Sequence, residues 1–204
     1  MKLIWNGHSC FTLDTAQGRV VLDPYLEGSV PGLSPLHLSA DLVLCSHGHQ
    51  DHNARDAVAL SGAPVSLQVE EIPTFHDDRQ GALRGPNLIH VISAEGLRVA
   101  HLGDLGCALT PEQAGRLQGL DALLVPVGGY YTIDAGQAKA LVDALRPRVV
   151  VPMHYRTEKS GLEPIDRLEK FLALRGDVRR FGTELRVTPA FERCTAVMQE
   201  LMER

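Results

Sequence analysis

Short apolar runs broken by glycine, proline and polar clusters set the rhythm of the first hundred residues. "KLIW", "CFTLD" and "RVVLD" read as strands, with "AQG" as the hairpin turn between the last two. A loop rich in Gly, Pro and Ser follows, "EGSVPGLSPLHLS", and then the buried-type strand "DLVLCS". "NARDAVALSG" predicts a helix, with Asn53 near its start and Gly62 past its end. "PVSLQV" and "EIPTF" predict two strands, and "NLIHVI" and "LRVAHLG", joined by "SAEG", a second hairpin.

Strands and helices then alternate. "TPEQAGRLQG" carries a helix start, with Thr110 as cap, Pro111 at the first position and Gln113 completing a capping box. "ALLVPV" and "RVVVPM" are strands flanking the helix "DAGQAKALVDAL", which Pro147 stops. "EPIDRLEKFLALRG" puts Ile165, Leu168, Phe171 and Leu172 on one helical face. "ELRVTP" and "CTAVMQEL" read as edge strands, the second equally compatible with a helix. Strand runs with helices outside them in both halves predict layered α/β packing. No linker-like break divides the chain, so residues 1–204 are expected to form a single domain.

Composition narrows the function. The chain has 204 residues, 44% of them hydrophobic and 22% charged, as in an ordinary soluble globular protein. Its formal net charge of −5 argues against a surface built for nucleic acid. No run reaches membrane-spanning length and no signal peptide stands at the start, which predicts a cytoplasmic protein without a membrane partner. Cys10, Cys45, Cys107 and Cys194 are scattered without a C-x-x-C, as expected of free thiols in a reducing compartment.

The candidate chemistry lies in "CSHGHQDHNARD". His47 and His49 stand two apart at the end of a buried-type strand, a spacing that lets two imidazoles reach one ion. Asp51 and His52 follow at once and add an oxygen and a nitrogen. Imidazole plus carboxylate suits zinc best, and manganese and iron are the other ions such a set accepts. His76, Asp104 and His154 each lie at the end of another strand-like run, where loops converge.

H-G-H-Q-D-H matches the H-x-H-x-D-H signature of the metallo-β-lactamase superfamily. "GHSCF", "LDPY", "FHDDRQGALRGPN", "HLGDLG", "VGGYYTIDA" and "VPMHY" resemble its branch of small metal-dependent hydrolases that includes ascorbate-6-phosphate lactonase. The resemblance implies a four-layer αβ/βα sandwich with two divalent metal ions at one edge of the sheets. It places His47, His49 and His76 on the first ion, Asp51, His52 and His154 on the second, and Asp104 between them. His101 is the alternative to His76. The reaction it implies is hydrolysis of an ester-type bond (lactone, phosphoester or thioester) in a small molecule, by hydroxide formed between the two ions and oriented by Asp51. A non-catalytic metal-binding or sensing module, a diiron oxidoreductase and an RNA-processing nuclease are the rival readings, and homo-oligomers are compatible with any of them.

Around this set, His8, Arg79, Arg84, Tyr131, Thr132 and Tyr155 are candidates to line a substrate pocket, the two arginines for an anionic group. Asp23 is a candidate to hold a ligand imidazole through its distal N–H. Asp134 with Gln137 reads as a helix cap, His37 and His90 as bystanders, and Cys45 as core.

Overall fold

The computed structural model describes residues 1–199. In chain order the elements are β1 (Lys2–Gly7), β2 (Cys10–Thr15), β3 (Gly18–Leu22), β4 (Leu38–Ala40), β5 (Leu42–Leu44), β6 (Val58–Leu60), β7 (Gln68–Phe75), β8 (Pro86–Ala94), β9 (Leu97–His101), α1 (Pro111–Arg116), β10 (Ala122–Pro126), α2 (Ala135–Leu145), β11 (Val149–Met153), α3 (Leu168–Leu172), β12 (Val178–Phe181), β13 (Glu184–Arg186) and β14 (Cys194–Met198). A five-stranded sheet runs β13-β1-β2-β3-β5, and a seven-stranded sheet runs β12-β14-β11-β10-β9-β8-β7. β4 and β6 make a separate two-stranded ribbon.

Period-two alternation sorts the side chains into layers. Phe11, Leu13, Val20 and Leu22 of the smaller sheet meet Val99, Leu124, Val151 and Ala196 of the larger one in a central core. The intervening residues of the larger sheet, Ala100, Leu123, Val125 and Val150, point the other way and pack under Ala138 and Val142 of α2 and Leu168 and Phe171 of α3. Each fully buried Leu or Phe in these layers is worth about 1.5–3 kcal/mol through removal from water. On the far side of the smaller sheet, Cys10 and Val21 are covered by Tyr25, Val30, Ala40 and Val58. That outer layer is loop and ribbon, whereas the larger sheet carries helices.

Four local expectations are corrected. "NARDAVALSG" forms one 3-10 turn, Arg55–Ala57, and then β6, which pairs in parallel with β4. Asn53 caps nothing, its side chain accepting from Arg55 Nε instead, and only Val58 of the run 54–60 is fully buried, so no helical face exists to drive a helix. The two strands foreseen around Gln68 are one strand, and Pro73 fits within it because β7 is an edge strand with no partner for the missing N–H. The helix foreseen from Glu163 shrinks to α3, because the Asp166 N–H donates to the Gly128 carbonyl and its own carbonyl accepts from Arg156. β14 is no edge strand: it lies between β11 and β12, parallel to both. The foreseen capping box of Thr110 with Gln113 is present, and the foreseen cap Asp134 forms a second box with Gln137.

β3, β5, β9, β10 and β11 all run parallel to at least one neighbour and end at one edge of the sandwich. Ligands of layered α/β proteins bind beyond such carboxyl ends. Asp23, the histidine cluster, Asp104 and His154 follow β3, β5, β9 and β11 directly. Among the described residues no helix is long and apolar enough to cross a membrane.

Candidate metal centre

Six imidazoles and two carboxylates from five loops meet at that edge. Donor atoms of His47, His49 and His76 lie within 4.8 Å of one another, as do those of His8, Asp51, His52 and His154, and those of His47, His52 and Asp104. Asp104 sits in the middle: Oδ2 is 3.1 Å from His76 Nε2 and 3.2 Å from His154 Nε2, and Oδ1 is 3.2 Å from His52 Nε2. His49 is exposed and forms the open lip, while His52, His76, Asp104 and His154 are buried.

The surrounding backbone is built for this convergence. Asp23 and His154 both adopt left-handed φ, 45° and 52°, a conformation that costs a non-glycine residue roughly 1–2 kcal/mol. Gly106 and Gly128 let the loops close up: a Cβ on Gly106 would stand 2.4 Å from the His76 carbonyl carbon, and one on Gly128 2.2 Å from the His154 carbonyl oxygen.

Second partners fix the rings. Asp23, fully buried, takes His52 Nδ1 at 2.8 Å and accepts from the Ser46 N–H and hydroxyl, both at 2.6 Å. Such a carboxylate–imidazole pair sets the tautomer that leaves Nε2 free. His76 Nδ1 donates to the Tyr131 carbonyl at 3.1 Å. Asn87, which no spacing in the sequence singled out, accepts from the Asp104 N–H at 2.9 Å and donates to Thr74 and to the Leu102 carbonyl. Asp77 likewise escaped notice: its carboxylate accepts from the backbone N–H groups of Arg79, Gly81, Leu83 and Arg84, and so folds the loop after His76.

Burial and the neighbouring charges set the protonation states. Burial, then His52, push His47 down to about 3, and burial, then His154, push His8 down to about 4. Both are therefore neutral at physiological pH, with lone pairs to offer. Burial would strip the proton from His52, yet Asp104 and Asp23 hold its pKa well above the ordinary histidine range. Burial also opposes charge on Asp104, and His154 and His52 outweigh it, keeping the carboxyl well below the usual range.

The donor set fits divalent metal. Buried polar atoms ordinarily find partners, but His47 Nε2, His52 Nε2, Asp104 Oδ1 and both nitrogens of His154 have none with hydrogen-bond geometry. Each such orphan costs roughly 1–3 kcal/mol, and here His47 Nε2, His52 Nε2 and His154 Nε2 all lie within 4 Å of the Asp104 carboxylate. Imidazole with carboxylate, and no thiolate, is the chemistry of zinc, manganese or iron sites.

The alternative ligand His101 is excluded by its bonds: Nε2 lies 2.9 Å from the Ser9 carbonyl, and Nδ1 accepts from the Gly103 N–H at 3.1 Å. Both of its nitrogens are used. Of the candidate pocket residues, Arg84 and Tyr131 line a cleft of about 440 Å³ beside the cluster, together with Ser29, Gln50 and Leu162, which the sequence did not single out. Arg84 lies over the Tyr131 ring, 5.4 Å from its centroid. Three candidates lie elsewhere. Arg79 is exposed and away from the cleft, and Thr132 is buried with its hydroxyl donating to the Ile133 carbonyl. Tyr155 points into the core, stacked on Trp5 and bonded to the Met198 carbonyl. Tyr155→Phe is accordingly expected to leave turnover within about twofold and to cost about 0.5–1.5 kcal/mol of stability, read from parallel kinetics and urea unfolding. His90 pairs with Glu71 on the strand beside it, 3.5 Å away, His37 is exposed, and all four cysteines are free.

The profile of the beta-lactamase superfamily domain matches residues 2–154. A UPF0173 metal-dependent hydrolase of Thermoplasma acidophilum is 32% identical over 213 residues, covering 87% of this chain and 92% of its own. Another, from Archaeoglobus fulgidus, is 31% identical over 196 residues, covering 77% and 84%. The crystal structure of a Thermotoga maritima protein, proposed as a Zn-dependent hydrolase of the metallo-β-lactamase superfamily, superposes with a TM-score of 0.80 at 34% identity, over 98% of this chain and 99% of that one. The motifs, the sandwich and these relatives agree: the chain belongs to the metallo-β-lactamase superfamily, among its UPF0173 metal-dependent hydrolases.

Proposed function

We propose that this hydrolase works with two divalent cations, zinc foremost, and cleaves an ester-type bond (lactone, phosphoester or thioester) in a small molecule that carries an anionic group. The observation that supports this most directly is the set of buried donor atoms without partners, centred on Asp104 and opening onto a cleft of small-molecule size. His47, His49 and His76 would hold one cation, and Asp51, His52 and His154 the other, with Asp104 Oδ2 between His76 and His154 as the bridge. Cations held by these residues would supply the acidification of a water near neutral pH and the electrostatic stabilisation of negative charge on the electrophile.

The chain's own groups supply position. Asp51 is 16% exposed, and although burial opposes its charge, the His52 and His8 imidazoles, each 3.5 Å from Oδ2, hold its carboxyl well below the usual range. A carboxylate that acidic is a poor resting place for a proton, so its role is to accept a hydrogen bond from the attacking water and aim it. Leu162 gives the cleft an apolar wall, and Tyr131 positions both His76, through its carbonyl, and Arg84, through its ring. Arg84 forms no ion pair among the described residues, so its guanidinium is free for a carboxylate or phosphate on the substrate.

Metal analysis and a substrate panel test the reading. Two bound ions per chain and turnover of a lactone, a phosphodiester or a thioester are expected; a fully loaded protein inert on the whole panel would sink it. Arg84→Met should raise KM for an anionic panel member about 10- to 150-fold, the worth of one charge-assisted hydrogen bond. The same variant should leave a neutral analogue and kcat unchanged. Equal KM changes for charged and neutral members would remove Arg84 from substrate recognition.

A further inference from the structure

His8 stands in the tight turn between β1 and β2, and the two-ion reading gives it no part. Its surroundings do. The ring is 4% exposed, and neither nitrogen has a hydrogen-bond partner. The residue is held at φ 51°, next to Gly7 at φ 110°, where the β1–β2 register slips between Trp5 and Gly7. Trp5 Nε1 donates to the His8 carbonyl at 3.1 Å and pins the turn. A strained turn and a buried imidazole with both nitrogens unpaired would be a poor bargain for packing alone, since hydrophobic side chains fill such space without orphaned atoms.

The distances point to a use. His8 Nε2 and His52 Nε2 each lie 3.5 Å from Asp51 Oδ2. That is long for a hydrogen bond. Metal–ligand bonds of about 2.0–2.2 Å to nitrogen and oxygen give a tetrahedron whose edge is roughly 3.4 Å. The His8 ring also sits beside that of His154, with centroids 4.3 Å apart. Donor atoms of His8, Asp51, His52 and His154 form one group within 4.8 Å and those of His47, His49 and His76 another, while His47, His52 and Asp104 make a third that joins the two.

We propose that His8 is a further protein ligand of the second metal position, joining Asp51, His52, His154 and the bridging Asp104. The inference rests on the two-ion reading above and makes the two positions unequal. The position holding His8 has the larger set of protein donors and keeps its ion more firmly. The cleft touches both positions, through His49 and His76 of one and Asp51 and His154 of the other, and the exposed His49 leaves the first with the looser set.

Coordination can be read without turnover. The wild-type chain is loaded with cadmium, its histidine nitrogens are isotopically labelled, and cadmium–nitrogen coupling identifies each bonded imidazole. Six coupled imidazoles are expected, those of residues 8, 47, 49, 52, 76 and 154, and His8→Gln should remove the signal of His8. An uncoupled His8 beside five coupled rings overturns the proposal. If a single ion binds, the two-ion reading falls and His8 is still judged by its own coupling; if no ion binds, both fall. Chelator competition adds a second measure. Losing a group that merely positions a ligand costs about 10- to 100-fold in affinity, so His8→Gln should weaken one ion by more than about 100-fold, and any smaller loss counts against direct ligation. Should His8→Gln fail to fold, the wild-type coupling decides alone.

Discussion

Asp104→Asn should lower turnover by at least about a thousandfold, the equivalent of the several kcal/mol that metal ions contribute to a hydrolytic transition state. One carboxylate touches four imidazoles: Oδ2 lies 3.1 Å from His76, 3.2 Å from His154 and 3.9 Å from His47, and Oδ1 3.2 Å from His52. An amide of the same shape removes the charge and replaces one acceptor oxygen with an N–H donor. It therefore loses both the attraction for a cation and half of the proposed bridge. The fold should survive, because Asn87 holds the backbone N–H of residue 104 rather than its side chain, and the volume is unchanged. Metal content and kcat measured on the same preparation make the check. A variant that keeps two ions and falls less than tenfold in rate would show that Asp104 is no bridge.

How much of this could be read from the sequence depends on the range of the interaction involved. Short apolar runs are a local signal, and they placed β2, β3, β9, β10 and β11 correctly. Capping boxes are local as well, and both formed. The ligand residues were legible as a motif and as strand ends, and the folded chain brings His47, His49, Asp51, His52, His76, Asp104 and His154 together. What escaped depends on contacts between distant segments. Asn87 stands at the start of β8 and Asp77 in the loop after β7, and nothing in their spacing says that Asp104 or the 79–84 backbone will lie beside them. Tyr155 misled by adjacency: His154 turns through a left-handed φ, so the next side chain leaves for the core instead of the cleft. The foreseen helix after Asn53 and the full length of α3 gave way for the same reason. Backbone groups at Ala54 and Asp166 bond to Pro24 and Gly128, far along the chain, and those bonds outweigh weak helical propensity.

Asp23→Ala should cost about 3–5 kcal/mol in the metal-free protein, the range for removing one partner of a buried charge pair. The same change should weaken the ion at His52 by about 10- to 100-fold. The carboxylate is 0% exposed and satisfies His52 Nδ1 together with both donors of Ser46; alanine would orphan His52 Nδ1 and the Ser46 N–H and leave the Ser46 hydroxyl only His47 Nδ1. Asp23→Asn keeps the shape and one acceptor, so its loss should fall nearer the 1.5–3 kcal/mol of a hydrogen bond to a charged group. The pH dependence separates this from simple cavity formation. Burial would raise the Asp23 pKa, but His101 and His52 outweigh it and hold the carboxyl well below the usual range. Its stabilisation is thus present above the unfolded value of about 3.9 and is lost as pH falls through the lower, folded one. His52 is shifted the opposite way, upward, so its share is full below the unfolded value of about 6.5 and is lost as pH rises through the folded one. The gap in unfolding free energy between wild type and Asp23→Ala, followed by urea titration under chelator, should therefore be widest near pH 5–6 and shrink toward both acid and alkali. A cavity alone gives a gap that does not change with pH, and a flat profile would reduce Asp23 to packing.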